Sequence, residues 1–303
     1  MAQARPLRAA TRGSALALWQ AEHVGRLLGA PGVEPVVVET TGDRAADVPI
    51  HEMGGRGVFV KEVQAAVLDG RADIAVHSAK DLQSVPTPGL TLAAVPARED
   101  PRDALVGASL ETLPVGARVA TGSVRRRAQL AAFRPDLTFA GLRGNIQTRL
   151  AKAPGYGAVV MAMAALKRLD LEHDADLEIA ALPPLIVLPQ VGQGALAIEC
   201  RLDDDETLAR LGAIEDPASR LAVDAERAFL AHLGGGCDLP VGAYYDPDRG
   251  MLSGMVATLD GRILLRDSVS GTDPEALGQQ LADRLLVGAA GSSLLEDLRG
   301  VVG

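Results

Sequence analysis

Twice in this chain an aliphatic strand pattern runs into a helix pattern through a junction of small residues and arginine. Leu7 to Thr11 leads through Thr11-Arg12-Gly13-Ser14 into a helix over Ser14 to Leu28, where Leu16, Leu18, Trp19, Val24 and Leu27 recur near helical spacing. Arg118 to Thr121 leads through Thr121-Gly122-Ser123 into a second helix over Ser123 to Ala132. Strands that alternate with helices pair in parallel, so the repeated unit predicts α/β lobes. It also leaves free backbone amides at each helix start, a natural anion site, with Ser14 as N-cap.

The rest of the chain extends the pattern. Glu34 to Thr41 is β-branched and reads as a strand. Gly42 to Gly57 reads as a long loop of the kind that forms lids. After a helix over Val58 to Leu68, the buried strand Ala72 to Val76 runs into His77-Ser78-Ala79-Lys80-Asp81. Ligands of open α/β sheets bind at such C-terminal strand ends. Arg98 to Asp103 is charged and proline-broken, as an interdomain crossing would be. Beyond it, the strand Leu137 to Leu142 ends in Arg143-Gly144-Asn145, before a helix carrying Arg149. The strand Gly157 to Met163 is followed by Lys167-Arg168. Of Arg125, Arg126 and Arg127, three neighbours on one turn, at least one points away, which leaves Arg125 and Arg126 to reach a ligand. Strand ends that keep leading into arginine imply a pocket for a ligand with several carboxylates or phosphates.

Composition sharpens this. Lysine fills only four of the 30 basic positions, and the net charge of -9 argues against non-specific nucleic-acid binding. Aromatics are 3% of the 303 residues, so the cores are aliphatic. The two cysteines, Cys200 and Cys237, fit neither a disulfide framework nor a zinc site. Five scattered histidines give no metal set, and His77 reads as a hydrogen-bonded structural residue. With no signal-like run at the start and no run of 18 apolar residues, the expectation is a cytoplasmic protein.

Leu188 to Gly194 precedes a strand over Ala195 to Cys200 that rejoins the first sheet, with Cys200 in the core. This gives two α/β lobes with two crossings and a cleft between them. From Asp216 a strong helix over Ala218 to Leu233 is followed by strands at Val241 to Tyr245, Met251 to Leu259 and Arg262 to Ser268. A helix over Asp273 to Val287 closes a small α+β domain. The domains expected are 1–95 with 189–212, then 96–188, then 213–303. The third opens on Leu233-Gly234-Gly235-Gly236-Cys237-Asp238, a glycine loop that presents a thiol. An anion-binding protein of two lobes would use the arginines but has no need of Asp81 or Cys237. A regulatory protein would need an interaction face that is not evident.

Ala10-Thr11-Arg12-Gly13-Ser14, Leu18-Trp19-Gln20, Gly57-Val58-Phe59-Val60-Lys61-Glu62 and His77 to Asp81 occur in order along the chain. So do Arg98 to Asp103, Ser123-Val124-Arg125-Arg126, Leu142 to Asn145, Thr148-Arg149-Leu150, Leu166 to Leu169, Val191 to Gly194 and Gly235-Gly236-Cys237. Together these resemble the porphobilinogen deaminase (hydroxymethylbilane synthase) family over nearly the whole chain. The resemblance implies three domains, the first two like periplasmic binding proteins. It implies a transferase, monomeric and cytoplasmic, in tetrapyrrole (haem) biosynthesis. On a dipyrromethane cofactor joined by a thioether to Cys237, four porphobilinogen molecules condense with loss of ammonia, and hydrolysis frees hydroxymethylbilane. Asp81 is the implied catalytic carboxylate. Lys80, Asp81, Ser123, Arg125, Arg126 and Arg143 are implied to bind the cofactor, and Arg12, Ser14, Gln20, Phe59, Arg149, Arg168 and Gln193 the substrate. No metal is implied, and the only partner is porphobilinogen. The chain departs from the family pattern at Gln83, where proline is common, and at Gly234, where glutamate is common.

Overall fold

The structure, a computed structural model, describes residues 5–44, 57, 59–174, 176–234, 239–288 and 291–294. In chain order, β1 (Leu7–Thr11), α1 (Ala15–Leu28), β2 (Val33–Val37), α2 (Thr41–Arg44), α3 (Lys61–Leu68), β3 (Ile74–Ser78) and β4 (Leu90–Ala94) come first. Next are β5 (Asp103–Val106), β6 (Arg118–Ala120), α4 (Val124–Phe133), β7 (Thr138–Ala140), α5 (Ile146–Lys152), β8 (Ala158–Ala162), α6 (Met163–Arg168) and β9 (Ile179–Leu182). β10 (Leu196–Arg201), α7 (Asp205–Gly212), α8 (Pro217–His232), β11 (Val241–Asp246), β12 (Met251–Ala257), β13 (Leu264–Ser270) and α9 (Pro274–Asp283) complete the series. The chain forms two compact units, Met1–Glu99 with Ala195–Arg220, and Asp100–Gly194 with Leu221–Gly303.

The first unit holds a five-stranded sheet of order β2-β1-β3-β10-β4. β1 pairs in parallel with β2 and β3, whereas β10 is antiparallel to both of its neighbours. Alternate residues serve opposite faces, as a strand's twofold period requires. Leu7, Ala9, Ile74 and Val76 share a core with Ala21 and Val24 of α1 and Leu211 of α7; Ala10 and Ala75 face Val63, Ala66 and Val67 of α3.

The second unit contains a five-stranded sheet of order β7-β6-β8-β5-β9, built on the same plan. β6 is parallel to β7 and β8, and β5 is antiparallel to β8 and β9. In both five-stranded sheets the antiparallel inner strand is the one the chain enters just after passing from one unit to the other, β5 after Glu99 and β10 after Gly194. The second unit also holds an antiparallel sheet β11-β12-β13, covered by α8 and α9. Gly278 lets α9 lie on α8, because a Cβ there would meet the Phe229 amide nitrogen at 2.4 Å. The fold class is therefore α/β, with two α/β lobes and a small α+β C-terminal part.

Several boundaries differ from the sequence expectations for local reasons. β2 stops at Val37, and Thr40 and Asp43 close a turn that opens α2, with the Thr40 hydroxyl donating to Asp43 at 2.7 Å. Residues 45–56 of the expected lid, and Val58 at the start of the expected helix, lie outside the described residues. His77 and Ser78 belong to β3 itself. β4, β5, β9 and α7 have no counterpart in the sequence expectations. Cys200 is buried as expected, and burial pushes its thiol up to about 11.

Asp73 ties the N-terminal ends of the neighbouring strands β1 and β3 together. Its carboxylate accepts from Arg5 at 2.6 Å, from the Arg8 amide at 2.8 Å and from the Arg8 guanidinium at 2.8 Å. Burial pushes this carboxyl up, but the Arg5 and Arg8 hydrogen bonds outweigh it and hold it well below the usual carboxylate range. A depressed carboxylate stabilises the fold above its unfolded pKa of about 4 and loses that contribution as pH falls through the folded value. Asp73→Asn is expected to cost about 2 kcal/mol at pH 7. In urea unfolding, the gap between wild type and variant should narrow steadily below about pH 4.

Candidate active site

In the first unit the C-terminal ends of two adjacent parallel strands, β1 and β3, carry the expected residues. Ser14 caps α1, its hydroxyl accepting from the Ala17 amide at 3.3 Å. Gln20, buried on α1, donates to the Ser78 hydroxyl at 2.8 Å and ties that helix to the end of β3. There a single 3-10 turn, Ala79–Asp81, lifts Lys80 and Asp81 off the sheet, both half-buried. The Ala79 amide is fixed to the Ala195 carbonyl at 3.0 Å, so the turn is anchored to the start of β10. His77 points into a buried polar set with its Nε2 3.0 Å from Glu199, which also accepts from Gln64 at 2.8 Å.

Arg12 has a carboxylate partner that sequence reasoning missed. Its Nε lies 3.2 Å from both Asp43 oxygens, its Nη2 also pairs with Asp43, and its guanidinium stacks 4.1 Å from the Phe59 ring centre. Gly42 is needed here, since a Cβ would fall 2.1 Å from that ring. Burial pushes the Asp43 carboxyl up, but Arg12 and Thr40 hold it below its ordinary value. Gln83 packs its amide against Gly57, and Gly234 has a φ of 61°, a left-handed conformation in which the family's glutamate would be strained.

In the second unit three neighbouring parallel strands deliver arginines at the same end. β6 leads to Ser123, which caps α4 by accepting from the Arg126 amide at 3.4 Å. β7 leads to half-buried Arg143 and to Asn145, the cap of α5, where Arg149 Nε donates to the Gly144 carbonyl at 2.8 Å. β8 leads to α6 and buried Arg168, which donates to the Gly194 carbonyl at 2.6 Å.

Of the arginine triplet, Arg127 is exposed, whereas Arg125 is 3% and Arg126 7% exposed. Both converge on Asp103, the first residue of β5, which is 0% exposed. Arg125 Nη1 lies 2.8 Å from Asp103 Oδ2, and Arg126 approaches Oδ1 through Nη2 at 2.7 Å and Nε at 2.9 Å. Gln193, wholly buried, adds its amide at 2.8 Å from Oδ1. Burial pushes the Asp103 carboxyl up; the charges of Arg125 and Arg126 outweigh this and hold it well below the carboxylate range. The cluster carries two positive charges against one negative. Nε and Nη2 of Arg125 are buried and have no hydrogen-bond partner among the described residues. These two atoms form the side edge of the guanidinium, the edge that grips a carboxylate with two parallel bonds.

Sequence reasoning missed Asp103 because it read the segment as a crossing, although Ala-Leu-Val directly after it was a strand signal. It also missed Glu226, fully buried on α8, which accepts from the Gly192 amide at 2.7 Å and the Tyr245 amide at 2.9 Å. Gly192, Gln193 and Gly194 are thus held respectively by Glu226, Asp103 and Arg168. Positive φ at Gly192 (71°) and Gly194 (88°) explains the two glycines. Cys237, with Gly235, Gly236 and Asp238, lies outside the described residues.

Residues 7–209 match the family profile described as porphobilinogen deaminase, dipyrromethane cofactor binding domain, and residues 220–287 match the porphobilinogen deaminase C-terminal domain. The chain belongs to the porphobilinogen deaminase family. It is 48% identical over 297 residues to the porphobilinogen deaminase of Roseiflexus castenholzii, covering 94% of this chain and 97% of that one. It is 46% identical over 301 residues to that of Brevibacillus brevis, covering 95% and 96%. The cofactor-binding profile of the family spans all the expected site residues except Cys237, which falls in the C-terminal one.

Removing Asp103 alone would leave two adjacent guanidiniums buried without their carboxylate. Asp103→Asn is expected to lower the unfolding free energy by about 3–5 kcal/mol. In the double variant with Arg125→Met, part of that loss should return, because one fewer buried charge is uncompensated. Urea unfolding of the two singles and the double checks this, and strictly additive losses would contradict it.

Proposed function

We propose that this chain condenses four porphobilinogen molecules with release of ammonia on a dipyrromethane bound through Cys237, and then hydrolyses the product to hydroxymethylbilane. The observation that carries the reading is the side edge of Arg125, which has no partner among the described residues and is buried in a cluster with one excess positive charge. A buried guanidinium with an empty fork calls for an anion, and each pyrrole of the cofactor and substrate carries two carboxylates. The donors of the second unit therefore fit the dipyrromethane: Arg125 would bind a carboxylate side-on, with Ser123, Arg126 and Arg143 in the same unit, and Lys80 of the first unit is a further residue assigned to the cofactor.

When bound, the dipyrromethane supplies a nucleophilic pyrrole carbon on which the chain is extended. The protein's own residues bind, orient and move protons. Arg12, Ser14, Gln20, Phe59, Arg149, Arg168 and Gln193 make up the substrate set. Arg12 already pairs with Asp43 through Nε and Nη2, so a substrate carboxylate that takes that edge exchanges with Asp43. The Asp81 carboxylate accepts the N–H of a porphobilinogen ring, stabilises positive charge that develops on it, and holds the proton lost from it.

The same reading makes the protein a monomeric cytoplasmic enzyme without a nucleic-acid partner. In support, its net charge is -9, and no helix among the described residues is long and apolar enough to cross a membrane.

Intact mass of the purified protein beside Cys237→Ser tests the anchor. An excess matching two deaminated porphobilinogen units on the wild type alone is expected. A bare wild type that gains no adduct on addition of porphobilinogen would overturn it. Asp81→Ala is expected to retain the fold while kcat for porphobilinogen consumption falls about 10²–10⁴-fold.

A further inference from the structure

Behind Arg125 lies a second set of hydrogen bonds that leads out of the lobe into the C-terminal sheet. Gln129, one turn further along α4, is 1% exposed. Its Oε1 accepts from the Leu188 amide at 2.8 Å and from Nη2 of Arg266 at 2.9 Å. Its Nε2 donates at 3.1 Å to the Leu188 carbonyl, the same oxygen that receives Nη1 of Arg125. Arg266, on β13, spends its other end on the Leu185 carbonyl.

Arg266 is costly where it stands. Burial lowers its pKa, and among the described residues its charge meets carbonyl oxygens but no carboxylate. A methionine would fill that space without the desolvation penalty, so packing alone does not account for a guanidinium there. The sheet that carries it sits directly on α4. Met255 and Ala257 of β12 share a core with Ala128 and Leu188, and a Cβ on Gly261 would fall 2.2 Å from the Ala128 carbonyl.

We propose that Arg266 and Gln129 are positioning residues for Arg125. Arg266 holds Gln129 by its Oε1, and Gln129 fixes the amide and carbonyl of Leu188; that carbonyl and Asp103 then hold Nη1 of Arg125, and the plane of the guanidinium is set. A planar fork with one nitrogen locked presents its remaining edge in a single direction. The brace thus aims the Nε–Nη2 edge at an incoming carboxylate. It also makes the C-terminal sheet, in the same part of the chain as Cys237, the element that orients the clamp. The inference rests on the anion-binding role given to Arg125 above.

The test has a readout independent of turnover. In the ¹⁵N spectrum of the full chain, the Arg125 Nε–H signal is assigned by its loss in Arg125→Lys. Arg266→Met is expected to shift that signal and speed its exchange with solvent about tenfold, with Arg266→Lys intermediate. An unchanged signal overturns the proposal. In turnover of porphobilinogen, Arg266→Met is expected to lower kcat/KM about tenfold in the wild-type background. In the Arg125→Lys background it should lower it less than twofold. Equal losses in both backgrounds mean that Arg266 acts independently of Arg125 and also overturn the proposal. A wild type without activity would sink the enzymatic role and leave the spectroscopic test standing.

Discussion

Asp103 sits wholly out of water between two guanidiniums, and the second unit is arranged around that contact. The carboxylate is on the strand the chain enters after its first crossing, the guanidiniums are on the first turn of α4, and Gln193 arrives on the segment before the return. One buried group thereby fixes a crossing strand, a helix N-terminus and a return loop to each other. A lone carboxylate in that position would be prohibitively costly, and so would either arginine without it. The three are stable together, and together they carry one charge too many.

That excess separates the arginines of this acidic protein into two kinds. Arg12 already has Asp43 and the Phe59 ring, so a ligand there competes with a partner in place. Arg125 shares its carboxylate with Arg126 and has a buried edge with no hydrogen-bond partner among the described residues. Desolvation strengthens any charge-assisted bond formed on that edge, since no water has to be screened out first. The first kind suits a substrate that arrives and moves on, and the second a group that stays.

Much of this was legible in the residues. The βα junctions at Ser14 and Ser123 and the strand end at Asp81 fall where alternation and capping chemistry put them, because those signals are local. The arginines after β6, β7 and β8 share one end of the sheet because parallel strands impose it. The partners were not legible: Asp43, Asp103 and Glu226 act across 31, 23 and 34 residues of sequence respectively, and no spacing rule reaches that far. Short strands such as β5 and β9 escaped because four residues carry little periodicity. Gln129 and Arg266 escaped for the same reason as the acids, since their contact spans 137 residues.

The most direct measurement is a crystal structure of the wild-type protein after incubation with porphobilinogen, read at Arg125. A pyrrole carboxylate bound side-on to Nε and Nη2, with Asp103 still on Nη1, is the expected result. Ligand carboxylates bound elsewhere, with that edge of Arg125 closed by a protein group, would contradict the view that the buried excess charge is what receives the cofactor.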